Sequence, residues 1–181
     1  FVLGGEIYEL VKIGNRYWTK TNAICEASDL GITSVFPIGK PAPQATYKGF
    51  FYSFSGNDAQ YQQAKNKLYP FRIPLNSDYI DLIAASNNQC NKIMATGWAN
   101  FPNANNETGF SCTPCGSYSF NWGISLQGQA FNLLFEVEDS NGHLKASYNE
   151  GAISAYDNSP IGSPNPAEHG AVGNLRFCID A

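Results

Sequence analysis

Cys112-Thr113-Pro114-Cys115 is the spacing in this chain that most directly suggests chemistry. In a thioredoxin-like protein such a pair opens a helix, whose N-terminus lowers a thiol pKa. Here Gly109-Phe110 precedes the pair, Gly116-Ser117 follows it, and no helical pattern begins there, so redox catalysis is not indicated. A zinc half-site is an alternative. Structural zinc takes four ligands, however, and Cys25, Cys90, Cys178, His143 and His169 would have to arrive singly. A local loop-closing disulfide, or two quiet thiols, is the reading the spacing favours. Five cysteines form at most two bridges and leave one thiol over.

His143 alternates outward after a turn, and His169 stands beside Glu168 in an irregular stretch; both read as solvated side chains. No G-x-S-x-G motif supports a Ser–His pair. Asp139-Ser140-Asn141-Gly142 resembles the start of a calcium loop but lacks the later ligands, so it reads as a turn. Asn105-Asn106-Glu107 offers oxygens to a cation or is a solvated loop, and Asn106-Glu107-Thr108 is a glycosylation sequon. No glycine-rich phosphate cradle is present. The expectation is a non-enzyme with no catalytic residue, no metal and no cofactor.

The elements that must hold these residues are mostly strands. Residues 6–22 read as a strand, a Gly14-Asn15 turn and a second strand ending on Trp18, with Ile7, Leu10, Val11, Ile13, Tyr17 and Trp18 as its apolar members. Residues 23–46 are loop-like, and the aromatic run 50–54 is a buried strand or a helix start. Residues 58–67 are polar and tolerate a helix. The better helix is 76–86, with Asn76 or Ser77 as N-cap, Asp78 and Asp81 near its positive end, and Tyr79, Leu82, Ile83 and Ser86 as its inner stripe. Asn87-Asn88 stops it.

Beyond residue 90 the pattern is strand and loop. The clearest hairpin is 131–148, turning at 139–142. Phe131, Leu133, Phe135, Val137, Leu144, Ala146 and Tyr148 face the core; Asn132, Leu134, Glu136, Glu138, Lys145, Ser147 and Asn149 face outward. Residues 149–172 form a long irregular loop of the kind that is usually functional or mobile. Residues 174–179 read as one closing strand.

The length of 181 residues suggests one domain, 1–181, able to bury roughly 70% of its unfolded surface. Charged residues are only 14% of the chain and aromatics also 14%, so Ser, Thr, Asn, Gln, Gly and Tyr must cover the outside. That palette suits an adaptable recognition surface, and equally a β-rich extracellular domain. A net charge of −4 without a Lys/Arg cluster argues against a nucleic-acid partner. No apolar run is long enough for direct membrane insertion. The start at Phe1 is read as a removed leader or a trimmed piece.

Four blocks, 8–22 (YELVKIGNRYWTKTN), 71–82 (FRIPLNSDYIDL), 106–119 (NETGFSCTPCGSYS) and 174–180 (NLRFCID), resemble in order and spacing the Fibrobacter succinogenes major paralogous domain family. The chain departs from that family where its tryptophans are replaced by Phe71 and Tyr79, where its Ala-Leu-Pro-Gly is replaced by residues 112–115, and where a tryptophan-rich strand is replaced by residues 132–135. The resemblance implies an α+β, C-type lectin-like fold: antiparallel sheets, first and last strands paired, two flanking helices and a loop-rich second half. The calcium motifs of sugar-binding members are absent, so calcium-dependent sugar binding is not implied.

The resemblance further implies a non-enzymatic ligand-binding module on a bacterial cell surface or virion, an adhesin or receptor-binding protein similar to the variable proteins of diversity-generating retroelements. The expected partner is a protein or glycan on a target cell surface. The contact residues expected are Tyr118, Phe120, Asn121 and Trp122 after the cysteine pair, Asn132, Lys145, Ser147 and Asn149 on the hairpin, and Tyr156, Asp157 and Asn158 in the late loop. The alternatives are a structural or tip subunit of a fimbria, and an enzyme of the formylglycine-generating type using a cysteine pair.

Overall fold

A computed structural model of the chain describes residues 1–26, 28–30, 50–52, 58–119, 123–136, 150–156, 160–162, 165–166 and 173–181. The opening hairpin forms as its sequence dictates. Strands β3 (Leu10–Ile13) and β4 (Arg16–Thr19) pair antiparallel across Gly14-Asn15, with Ile13 opposite Arg16. Gly14 takes φ +59, a conformation that glycine adopts without steric penalty. Ahead of them β1 (Val2–Leu3) and β2 (Glu6–Ile7) make a short ribbon. Within this region Ile7 is exposed while Tyr8 is buried, so the inward face here is set by the aromatic ring.

The expected single closing strand is two strands in different sheets. β11 (Gly173–Asn174) lies in a five-stranded sheet, and β12 (Cys178–Asp180) lies on β4, with Cys178 opposite Trp18. The chain crosses between the sheets through Leu175, Arg176 and Phe177, all buried. The last strand therefore joins the opening hairpin through β4 rather than the first strand.

The five-stranded sheet runs β10 (Asn165–Pro166), β9 (Glu150–Tyr156), β8 (Ala130–Glu136), β11, β5 (Phe51–Tyr52), with only the β8–β11 pair parallel. β8 is its central strand and is buried on both faces. Phe131, Leu133 and Phe135 enter one apolar core with Trp18, Tyr79, Leu82 and Phe110; Leu134 enters the other with Tyr52, Leu68, Leu175 and Phe177. Leu134 and Glu136 are thus not outward positions, and Asn132 is half-buried.

The hairpin partner also differs from expectation. β8 pairs with Glu150–Tyr156 and not with 144–148, so the stretch 149–172, expected to be an irregular loop, carries both β9 and β10. A strand covered on both faces favours an uncharged partner. From Gly151 to Tyr156 the chain carries no charge, whereas Lys145 would interrupt the earlier segment. Val137, Leu144, Ala146, Tyr148 and the 139–142 turn lie outside the described residues.

Among the described residues three helices flank the sheets: α1 (Asp58–Leu68), α2 (Asn76–Ala85) and the single turn α3 (Cys90–Ile93). Of the stripe its spacing predicts, α2 buries Tyr79 and Leu82, its C-cap Ser86 is buried as well, and Ile83 is half-buried. Its N-cap is Leu75, not Asn76 or Ser77. The capping oxygen comes instead from Asp78, whose Oδ2 accepts the Leu75 N–H at 2.7 Å. Asn87 and Asn88 end the helix in left-handed conformations, φ 53 and 57, and Asn88 N–H bonds to Ile83 O at 2.9 Å. The described part of the molecule is α+β with mainly antiparallel sheets.

Candidate functional site

The loop that carries the cysteine pair is organised by a residue the sequence does not single out. Arg176 is fully buried and donates to four neutral acceptors. Its Nε reaches Asn22 Oδ1 at 2.7 Å; Nη1 reaches Thr19 O at 2.7 Å and Phe110 O at 2.9 Å; Nη2 reaches Ser111 O at 3.0 Å. The guanidinium also lies 4.5 Å from the centroid of the Phe110 ring. No carboxylate reaches it among the described residues. Burial depresses its pKa, yet an arginine remains charged, so the cation is held by neutral oxygen dipoles and the Phe110 ring.

Asn22 passes the arrangement on to the cysteines, its Nδ2 donating to Thr113 Oγ1 at 3.2 Å and to Cys115 Sγ at 3.3 Å. Cys112 and Cys115 are both buried, and none of the five cysteines is in a disulfide. Burial raises every thiol pKa, that of Cys90 to about 12. Buried thiols with raised pKa values are poor nucleophiles. The motif thus acts as a tight turn, closed by Cys115 N–H on Thr113 O at 2.8 Å, that leads into β6 (Ser117–Ser119).

A second polar cluster surrounds Asp78. Its carboxylate is fully buried and accepts from Arg16 Nε at 2.7 Å, from both Nη atoms of Arg72, and from Leu75 N–H. Asp180 reaches both arginines at 3.4 Å from the exposed side. Burial alone would raise the Asp78 pKa; the bonds from Arg72, Leu75 and Arg16 outweigh it and hold the carboxyl below the usual range. Asp78 keeps its expected place near the positive end of α2, and its burial makes it also a tie between α2, β4 and β12. Glu136 is similar in kind: it is buried, with Lys65 Nζ at 2.9 Å. Spacing hides the Arg16–Asp78 and Lys65–Glu136 pairs, because those partners lie far apart in the chain.

The oxygens that residues 105–107 offered to a cation are occupied. Asn105 Oδ1 accepts Glu107 N–H at 3.1 Å, Asn106 Oδ1 accepts Ser111 N–H at 2.8 Å, and Glu107 pairs with Lys92 at 3.3 Å, leaving no cation cradle there. Among the described residues no three His, Cys, Asp or Glu side chains converge to hold a metal ion. His143 and His169 lie outside the described residues.

Of the expected contact residues, Tyr118 is on β6, opposite Ile124 of β7 (Gly123–Ser125). Tyr156 is at the end of β9 opposite Ala130, and Asn132 is opposite Ser154 on β8. Gly116 N–H bonds to Ala130 O at 2.8 Å, so the β6–β7 hairpin and the Tyr156 end of β9 meet at the same end of β8. Asn132 is half-buried rather than outward, because β8 is covered on both faces. Phe120, Asn121, Trp122, Lys145, Ser147, Asn149, Asp157 and Asn158 lie outside the described residues; Lys145, Ser147 and Asn149 are not on the strand that pairs with β8.

The base of the hairpin is rigid. A Cβ on Gly116 would lie 2.2 Å from Ser125 O, and its φ is +89, so the crossing admits only glycine. Leu126 beyond it is held at φ 58 with its side chain partly exposed, an uncommon state for a leucine. Gly128 N–H bonds to Pro114 O at 2.8 Å, and Asn100 Nδ2 donates to Gly128 O at 3.1 Å, joining the 98–101 turn to the 126–129 turn.

Among the described residues no helix is long and apolar enough to cross a membrane. The chain matches no family model, no curated protein and no solved structure.

Proposed function

We propose that this chain is a non-enzymatic ligand-binding module with a C-type lectin-like fold, displayed on a cell or virion surface, and that it meets a protein or glycan target through the β6–β7 hairpin and the loops at that end of β8. The lectin-like reading is supported by β12 lying on the opening hairpin and by the α+β make-up of the described residues. The observation that carries the binding reading is the charge pattern. Between Lys92 and Glu136 the one charged side chain is Glu107, and Lys92 answers it. The exposed surface of the 96–103 and 125–129 turns is accordingly uncharged, built of Thr, Asn, Ser and Gln with Gly, Ala, Pro and Leu, on a backbone held at Gly116 and Asn100. Amide, hydroxyl and aromatic groups on a rigid base suit adaptable recognition at low entropic cost.

The test is capture of a panel of labelled target cells by the purified chain. Replacing Tyr118 of the β6–β7 hairpin and Tyr156 at the facing end of β9 together by alanine is expected to abolish capture and leave the melting temperature unchanged; a parallel loss of both would end the assignment. The similarity to retroelement-diversified proteins has a genomic test: a near-copy of the codons for residues 115–178 beside a reverse-transcriptase gene.

A further inference from the structure

We propose that Asn106-Glu107-Thr108 is a guarded modification site: the folded chain commits the atom a sugar would occupy to a hydrogen bond that closes the loop, so glycosylation and loop closure exclude one another. Asn106 Oδ1 accepts Ser111 N–H at 2.8 Å while its Nδ2 donates to Ser111 Oγ at 2.7 Å. A carboxamide that grips one residue with both ends uses the Nδ2 hydrogen on the same side as Oδ1. N-glycosylation forms a bond from Nδ2 to sugar C1, breaks the bond from C1 to a departing nucleoside diphosphate, and releases one Nδ2 proton. The product is a planar secondary amide. In its trans form the sugar carbon lies on the Oδ1 side, in the position now directed at Ser111.

The rest of the sequon is equally engaged. Thr108 Oγ1 donates to Lys92 O at 3.0 Å and accepts Phe110 N–H at 3.3 Å; Asn106 N–H bonds to Asn91 O at 3.3 Å, and Gly109 N–H to Asn106 O at 2.9 Å. Asn106 and Ser111 are held at φ 50 and 55, left-handed conformations that an open chain would leave. The consequence extends inward, because Phe110 O and Ser111 O supply two of the four acceptors of Arg176. A sugar on Asn106 would therefore loosen the anchor of the buried cation as well as the loop.

The chain has one sequon, so the experiment reads a single site. The native chain, the Ser111→Ala variant and a synthetic peptide of residues 103–112 are each incubated with UDP-glucose and a soluble asparagine N-glucosyltransferase, UDP being the leaving group, and followed by intact mass. The native chain is expected to react about tenfold more slowly than the peptide, or slower still, because it must first open the loop. The Ser111→Ala chain is expected to move toward the peptide rate. Chains modified at Asn106 during refolding are expected to melt below unmodified ones. A native rate equal to that of the peptide would overturn the proposal. So would a folded Ser111→Ala chain as slow as the native one, or a modified chain with an unchanged melting temperature; this last reading stands even where the variant fails to fold.

Discussion

Among the described residues two ionised side chains, Asp78 and Arg176, have no exposure at all, and they are held in opposite ways. Asp78 sits between two arginines and a backbone N–H, its charge matched by counter-charges that remain partly exposed. Arg176 has no counter-charge among the described residues; three carbonyls and one carboxamide hold it. The first is an ion cluster at the edge of the molecule, tying β12 and β4 to α2. The second is a hub at the centre, tying the crossing between the sheets to the loop of the cysteine pair. A buried charge needs a full set of hydrogen bonds whether or not it has an ionic partner, and only the ionic version responds to pH.

The comparison is broken most sharply at the hub. Arg176→Met removes the cation but leaves four acceptors buried and unpaired, and is expected to cost about 3–5 kcal/mol in denaturant unfolding. The same variant should bring Cys112 and Cys115 within reach of a thiol reagent under native conditions, where the native chain reacts slowly. Asp78→Asn is expected to cost somewhat less, about 2–3 kcal/mol, since an amide oxygen still accepts one bond while both arginines lose their counter-charge.

The pH dependence separates the two. Asp78 has a folded pKa below its unfolded value of about 3.9. Its contribution is present above that unfolded value and is lost as pH falls through the lower, folded one. Melting temperature measured from about pH 6 down to about pH 2 should therefore fall less steeply in Asp78→Asn than in the native chain, while Arg176→Met keeps the native slope. An unchanged slope in Asp78→Asn would show that the cluster carries no pH-linked stability. The smallest effect belongs to the solvent-facing pair Lys20–Glu9, at 3.1 Å, where Glu9→Gln should change stability by less than about 0.5 kcal/mol and respond to salt.

How much of this is legible depends on how far along the chain the partners lie. The β3–β4 hairpin and the inner stripe of α2 follow from contacts between near neighbours, and periodicity reveals both. The pairing of β8 escapes such a reading because Asp139-Ser140-Asn141-Gly142 is a strong local turn signal, whereas β8 faces two cores and pairs with a strand farther on that is uncharged from Gly151 to Tyr156. Alternation fails as an inside–outside rule when both faces are covered, which is why it assigns Leu134 and Glu136 wrongly to the outside. Asp78 is recognisable as a helix-start acid, and its capping of Leu75 agrees with that; its burial depends on Arg16, contributed by a distant strand. Arg176 gives no signal at all, since nothing near it in sequence distinguishes a surface arginine from one that holds Thr19, Asn22, Phe110 and Ser111. Of the candidate contact surface, the charge-poor composition is legible, while its rigid base at Gly116 emerges only when Ser125 is brought against it.

The crossing at residues 173–180 also bears on how the chain is made. β11 completes the five-stranded sheet against β5 and β8, Arg176 fills the hub, and β12 lies on β4, so β4 and β5, each more than half the chain away, wait on one short stretch. During synthesis the first hairpin and the helices emerge early but face unfinished cores. Neither sheet can close until that stretch has left the ribosome, so folding should be slow, and ribosome-bound chains halted before residue 173 should remain open to protease.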